Sequence, residues 1–386
     1  MAHNNIDPRT RAVHCGQDRD PYTGASSVPI YQGSTFAQPD PDHPGAYDYG
    51  RSGNPTREAL ESAIAELEGG VHGFAFASGM AAITSALLLF KPGDHVIAAE
   101  DIYGGTYRIL TTLFRQWGLD ATFVDMTRPG LVEAAVRPET RGIFVETPSN
   151  PLLKITDLDA IAAIARKHSL LTIIDNTFAT PWLQRPIERG FDIVLHSATK
   201  FLGGHSDCVA GLAVVRTDDL AHRVKSIQNI TGSVLGPQDS WLILRGIRTL
   251  AVRMDAQQRS AQIVAEEMAR WPEINKVFYP GLAAHPGRAI NERQSSGAGA
   301  VLSFELKDGA VAHQVLRRVK LCLPAVSLGG VESILSYPAK MSHASMPREE
   351  RSLRGITDGL LRLSVGLEDP LDILNDLKQA ILVEKV

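Results

Sequence analysis

The sequence predicts an α/β protein with a mostly parallel sheet in a large domain and a smaller α/β domain at the C-terminal end. Three observations predict it. From about residue 70 to 215, apolar runs of strand length alternate with segments of helical period, the pattern of parallel strands covered by helices on both faces. Beyond Gly236-Pro237 that alternation gives way to a long helix-compatible stretch, Ser240 to Trp271, and then to a shorter set of strand and helix signals. Finally, Tyr103, Asn150, Asp175 and Lys200 all fall at or just past the ends of strand-like runs. The carboxyl ends of parallel strands border the crevice where such sheets bind ligands.

A chain of 386 residues exceeds what one simple core organises, so more than one domain is expected. The divisions read from the pattern are an N-terminal arm over residues 1–55, a large domain over 56–255 and a C-terminal domain over 256–386. The arm is rich in Pro, Gly, Ser and Asp and shows no core periodicity, so it either stays disordered or folds over a partner surface. It contains Tyr47-Asp-Tyr49-Gly-Arg51-Ser-Gly-Asn-Pro-Thr56, where a guanidinium suited to phosphate stands among glycines; a turn-rich surface loop is the other reading. Thr56 to Glu68 reads as a helix, with Leu60, Ile64 and Leu67 on one face and Gly69-Gly70 as its stop. Phe74 to Ala77 reads as a strand that runs through Ser78-Gly79-Met80 into a helix start. Such a turn gathers free N–H groups at the positive end of a helix dipole and suits a phosphate. Strand signals follow at His95–Ala99, Ala121–Val124, Gly142–Glu146, Leu170–Asp175, Phe191–Leu195 and Ala210–Val215, with a helix over Asp157–His168. In the C-terminal part, strands are expected at Val277–Tyr279, Ala300–Leu306 and Cys322–Val326, with helices near 308–319 and 370–382.

Composition excludes several classes of function. Lys plus Arg number 39 against 43 Asp plus Glu, a balance with no electrostatic footprint for nucleic acid or an anionic membrane. The amino terminus is polar, and the apolar run Ala81–Phe90 is too short and too interrupted to span a bilayer. Cys15, Cys208 and Cys322 are odd in number and far apart, which suits a reducing cytoplasm and offers no CxxC spacing. His196, His205 and His343 lack the spacing of a metal site, so no metal is expected.

The chemistry concentrates at Phe191-Asp-Ile-Val-Leu-His-Ser-Ala-Thr-Lys200-Phe-Leu-Gly-Gly-His-Ser-Asp207. A lysine at the end of a buried strand, flanked by Ser197 and Thr199, can be held out of water; burial lowers its pKa and makes the amine a nucleophile toward carbonyls. Asp175 ends the preceding strand, where it either pairs with a ligand cation or caps the next turn. Arg362, in the alternating strand-like run Leu361-Arg-Leu-Ser-Val-Gly-Leu-Glu368, requires a carboxylate, from the protein or from a substrate.

With this Asp-to-Lys spacing and the block Ser197-Ala-Thr-Lys200-Phe-Leu-Gly-Gly-His205-Ser-Asp207, the chain resembles, over nearly its whole length, the cysteine/methionine-metabolism family of pyridoxal-phosphate (PLP) enzymes: cystathionine lyases and synthases, methionine γ-lyase and homoserine sulfhydrylases. The resemblance implies the PLP-dependent transferase fold (fold type I), with the cofactor linked to Lys200 and its ring nitrogen on Asp175. It assigns the phosphate to Ser78, Gly79, Met80, Ser197 and Thr199. Tyr103 then stacks on the ring and helps transfer protons, and Asn150 bonds the ring oxygen. Tyr49 and Arg51 cross to a neighbouring subunit's phosphate, which implies a homo-oligomer with shared sites, a tetramer of paired dimers. Arg362 and Ser327 bind the α-carboxylate of a sulfur amino acid, with Tyr49 and Asn150 also lining the substrate site.

Within the family, two positions point to a β-elimination enzyme similar to bacterial cystathionine β-lyases. Val326 stands just before Ser327, where many γ-lyases and γ-synthases resemble one another in carrying Glu. Gly104-Gly105 follows Tyr103, where methionine γ-lyases usually have a cysteine shortly after. The run from Val326 to Met346 is similar to bacterial β-lyases. Cystathionine γ-lyase, methionine γ-lyase and cystathionine γ-synthase or O-acylhomoserine sulfhydrylase stay open as alternatives. A non-catalytic regulator on the same fold lacks the appended basic module it would need.

Overall fold

The computed structural model describes residues 6–16, 20–40, 42–344 and 346–382. Among these, the strands in chain order are β1 (His72–Phe76), β2 (His95–Ala99), β3 (Asp120–Val124), β4 (Thr140–Glu146), β5 (Leu171–Asp175), β6 (Ile193–Ser197), β7 (Gly211–Val215), β8 (Ile274–Phe278), β9 (Val301–Leu306), β10 (Leu323–Pro324), β11 (Ile334–Ser336) and β12 (Leu360–Ser364). Contacts gather the chain into two compact units, residues 1–89 with 185–251, and residues 90–184 with 252–386.

In the first unit the helix Pro55–Glu68 forms where its sequence dictates. Asn54 accepts hydrogen bonds from the N–H groups of Thr56 and Arg57, Pro55 occupies the first turn, and Gly69 ends the helix at φ 75°, a left-handed conformation that glycine adopts without a Cβ penalty. Leu60 and Ile64 are fully buried, each worth about 1.5–3 kcal/mol in apolar transfer. Three strands lie side by side as β1-β7-β6, all antiparallel. The strand–helix alternation did not anticipate this. The chain between Ser197 and Gly211 holds only turns, and without a crossover helix the next strand returns antiparallel. A short helix, Pro8–His14, opens the arm; Asp7 accepts from the Arg9 N–H and Pro8 takes the first helical position. From Asp20 to Asn54, apart from residue 41, the arm has isolated bridges such as Thr35 with Tyr49 and no regular strand or helix.

The second unit contains two sheets. One orders its strands β3-β2-β4-β5, all parallel, with Val96, Ile97, Ile143, Phe144, Ile173 and Ile174 fully buried, the near-continuous apolar signature of strands covered on both faces. The helix Leu158–His168 is capped by Asp157 and buries Leu158, Ile161, Ala162, Ile164 and Ala165. The other sheet runs β10-β11-β12-β9-β8, with Leu302, Phe304, Leu361, Leu363, Ile373 and Leu377 in its core.

Several expected boundaries move. The strand expected over Cys322–Val326 is reduced to Leu323–Pro324, since proline donates nothing to a ladder. The strand expected over Val277–Tyr279 begins earlier, at Ile274. The stretch Ser240–Trp271 is two helices, Pro237–Ile247 and Leu250–Met268. Neither glycine nor proline marks the interruption at Arg248-Thr249. Nearby, a Cβ on Gly246 would stand 2.3 Å from the Gly203 carbonyl oxygen, so backbone packing rather than local propensity shapes this region. No helix among the described residues is long and apolar enough to cross a membrane.

Candidate active site

The residues singled out in the sequence form one cluster in each unit. In the first, β6 ends at Ser197 and the chain folds tightly around Lys200. The Lys200 N–H donates to the Ser197 carbonyl (3.1 Å), Gly203 N–H to Ala198 (2.8 Å) and Gly204 N–H to Lys200 (2.7 Å). The Thr199 hydroxyl oxygen accepts from the Ala210 N–H at 3.0 Å, which pins the residue before the lysine to the start of β7. Lys200 itself is partly buried.

Ser78 caps the helix Gly79–Leu87, its oxygen accepting from the Ala81 N–H at 3.1 Å. That cap leaves the Gly79 and Met80 amides at the positive helix end for an anion. Ser197 belongs to the same cradle: a Cβ on Gly79 would lie 3.0 Å from the Ser197 Cβ and 3.1 Å from its Oγ. The structure thus brings Ser78, Gly79, Met80 and Ser197 together, with Thr199 one turn further on. Glycine at 79 suits this close approach, since any Cβ would require Ser197 to shift by a few tenths of an ångström.

On the arm, the Arg51 guanidinium lies 5.6 Å from the centre of the Tyr49 ring and donates to the Asn229 carbonyl oxygen (2.6 Å) and Oδ1 (2.9 Å). Both residues are exposed. Arg57, only 2% exposed, donates to the Gly50 and Arg51 carbonyls at 2.8 and 3.1 Å and so fixes the loop that presents them. Sequence reasoning passed over Arg57, as it did the pair of His196 Nε2 with Glu68 Oε1, 2.7 Å apart and fully buried, immediately before Ser197.

In the second unit the centre is Arg362 on β12, 3% exposed. Its Nη1 donates to Asn150 Oδ1 at 2.8 Å, and its Nη2 to the Ser327 carbonyl at 2.7 Å and the Ser336 hydroxyl at 3.2 Å. The buried Nε has no hydrogen-bond partner among the described residues. Burial lowers the guanidinium pKa to about 10, still charged at neutral pH. Ser327 has φ 85°, a strained conformation for a residue with a Cβ, and this turn aims its carbonyl at the arginine. Val326 beside it is 63% exposed.

Asn150, expected to hold a ring oxygen, here faces Arg362. Asp175 ends β5, where its Oδ1 accepts from the Thr177 N–H at 3.0 Å, so one of its oxygens caps the turn. Tyr103 precedes the helix Gly104–Ile109 with a partly exposed ring, and its N–H donates to Glu146 Oε2 at 2.8 Å. Gly104 allows the chain to pass the Ser342 carbonyl, from which a Cβ would be 2.0 Å away. Fully buried His343 sits in the same neighbourhood; burial, and then the Arg362 charge, depress its pKa to about 4, so it is neutral.

Sequence reasoning missed Glu146 and His343 as members of the site. Glu146 carried the signal that identified Asp175, an acid closing an apolar strand. Among the described residues no three His, Cys, Asp or Glu side chains group as metal ligands.

This arrangement offers a nucleophilic amine and an anion cradle in one unit, and a buried cation for a carboxylate beside an acid and an aromatic ring in the other. Comparison with known proteins places that chemistry. The profile of the Cys/Met metabolism PLP-dependent enzyme family matches residues 9–382. The chain is 54% identical over 381 residues to cystathionine beta-lyase MetC of Bacillus subtilis (strain 168), covering 99% of this chain and 98% of that one. It is 50% identical over 373 residues to the cystathionine gamma-lyase of the same organism, covering 97% and 98%. Among solved structures, cystathionine gamma-lyase from Lactobacillus plantarum complexed with L-serine superposes with a TM-score of 0.95 at 46% identity, covering 97% and 98%.

Proposed function

Because the chain belongs to the Cys/Met metabolism PLP-dependent enzyme family, we propose that this carbon–sulfur lyase cleaves cystathionine by β-elimination, with water, to homocysteine, pyruvate and ammonia. Pyridoxal phosphate is the family's cofactor, and the residues present fit it. The Ser78-Gly79-Met80 turn with Ser197 is a cradle that a Cβ on Gly79 would fill. When bound, the cofactor supplies an electron sink for the pair released from the substrate α-carbon.

The proposed roles follow from each side chain's chemistry. Lys200 Nζ would hold the cofactor and, as a free amine, would remove the substrate α-proton. Asp175 keeps the ring nitrogen protonated. Ser78, Gly79, Met80, Ser197 and Thr199 hold the phosphate, joined by Tyr49 and Arg51 of a neighbouring subunit in a homotetramer of paired dimers. Tyr103 stacks on the ring, and Asn150 serves both the ring oxygen and the substrate site, which Tyr49 also lines. Arg362, with Ser327, clamps the α-carboxylate. The C–S bond breaks with its electron pair on sulfur, which takes a proton from Lys200 or Tyr103 and leaves as the thiol. The three-carbon remainder takes up water and gives pyruvate and ammonia. A cytoplasmic location, and a division into an arm over 1–55, a cofactor-binding domain over 56–255 and a C-terminal domain over 256–386, belong to the same proposal.

The observation that carries the amino-acid reading is Arg362, a buried cation whose hydrogen-bond partners, Asn150, Ser327 and Ser336, are all neutral. Such a charge is expensive without an anion in direct contact, and an α-carboxylate supplies one. The choice of β over γ rests on Val326, which can neither bind a distal ammonium nor relay a proton for removal at Cβ. Similarity to γ-lyases supports the second reading, γ-cleavage to cysteine and 2-oxobutyrate. Purified enzyme incubated with cystathionine decides between them: pyruvate with homocysteine is expected, and 2-oxobutyrate as the main keto acid overturns the choice.

A further inference from the structure

Glu146 is a buried acid at this sheet edge to which the proposed chemistry gives no task. It closes β4, 5% exposed, and in the parallel register it is the direct neighbour of Asp175 on β5. Side chains at paired positions of adjacent strands project to the same face. One of its oxygens accepts the Tyr103 N–H at 2.8 Å, and the Asn150 amide also hydrogen-bonds to its carboxyl group. Asn150 in turn offers Oδ1 to Arg362 at 2.8 Å. A single carboxyl group is thereby tied to the residue expected to stack on the ring, to the residue expected to bridge ring and substrate, and, through the latter, to the substrate-binding arginine.

We propose that Glu146 is a positioning residue, which holds the Tyr103 and Asn150 backbones in the geometry the reaction needs by accepting their amides. The inference rests on the PLP-enzyme reading above and deepens it. Tyr103 stands at the head of a helix of six residues, Gly104–Ile109, with no side-chain cap of its own. Its N–H bond to Glu146 is what ties that helix start to the end of β4. Tyr103 and Asn150 both lie in turns just past strand ends, where the backbone has no ladder to hold it, and both converge on one acceptor. Burial, followed by the charge of neighbouring Asp175, raises the Glu146 pKa well above its ordinary value. The carboxyl group thereby supplies an acceptor for both amides. Glutamine keeps an acceptor oxygen at that position, whereas alanine removes it.

The test uses E146A and E146Q in the full-length enzyme. Hydrogen exchange of the cofactor-free protein, read on peptides covering Tyr103 and Asn150, is expected to speed up tenfold or more at both amides in E146A and by less than about threefold in E146Q, because exchange reports the local opening that the bond opposes. In the loaded enzyme, kcat/KM for cystathionine is expected to fall about 100-fold in E146A, the scale of an ångström-sized misplacement, and to recover at least tenfold of that in E146Q. If E146A does not fold, E146D replaces it; it keeps the acid but draws it back by one methylene, and the same loss is expected. Unchanged exchange at Tyr103 in E146A, or in E146D where that replaces it, or E146Q as impaired as that variant, overturns the proposal. A wild-type protein that takes up no PLP, or produces no keto acid, instead refutes the parent reading, and the exchange result separates the two failures.

Discussion

Replacing Arg362 with alanine probes the proposed substrate clamp where its geometry is most explicit. The guanidinium is held by Asn150, Ser327 and Ser336, so its fork is fixed before any substrate arrives and little rotamer freedom remains to be lost. Each charge-assisted bond from the fork to a carboxylate contributes about 1.5–3 kcal/mol. Losing two costs about 3–6 kcal/mol, or roughly 10²–10⁴ in kcat/KM at about 1.4 kcal/mol per decade. Arg362→Lys keeps a point charge without the fork and is expected to lose about 10–100-fold. Steady-state kinetics with cystathionine are the assay, with KM rising in both variants while the visible absorbance of the lysine-bound cofactor persists. A loss below tenfold in Arg362→Ala, or disappearance of the chromophore in place of a KM effect, refutes the assignment.

Gly79→Ala is expected to push Ser197 out of the cradle, since the new Cβ lies 3.0 Å from the Ser197 Cβ. Titration of the cofactor-free enzyme with PLP should show weaker binding by about tenfold or more, and unchanged affinity counts against the phosphate site. His343 carries a pH prediction. Its folded pKa is depressed to about 4 from 6.5, so as pH falls through 6.5 the unfolded chain binds the proton first. The stability present above pH 6.5 is lost progressively toward pH 4, by about 3 kcal/mol in full. Denaturant midpoints measured between pH 7 and 4 should fall less steeply for His343→Gln than for the wild type; parallel curves refute this reading.

Much of the site was legible because its chemistry sits where strands stop. Asp175 and Lys200 could be placed from apolar runs and their ends, and the helix Pro55–Glu68 from a cap, a periodic face and a glycine stop. Arg362 stood out because a guanidinium in an apolar strand requires a partner, although the strand alone did not say whether protein or substrate supplies it. Which strands pair, and in which direction, is a tertiary property, so the antiparallel placement of β1 and β7 had no periodic signal. The three-residue β11 is too short to show a period at all. The helix Pro8–His14 did carry a signal, Asp7-Pro8, which the surrounding turn-rich composition obscured. Glu146 and Arg57 were overlooked for a common reason: each acts on backbone groups outside its own strand or helix, and only coordinates reveal an acceptor or donor aimed at a main chain. Asn150 illustrates the converse, a residue singled out for a ring oxygen whose visible partner is the arginine on β12.

The most direct measurement is peptide mass mapping after the purified, PLP-loaded enzyme has been reduced with borohydride, which makes the lysine–cofactor link permanent. A pyridoxyl phosphate group on the peptide containing Lys200 is the predicted result. The same group on a different lysine, or no attachment at all in an enzyme that still turns over, contradicts the account.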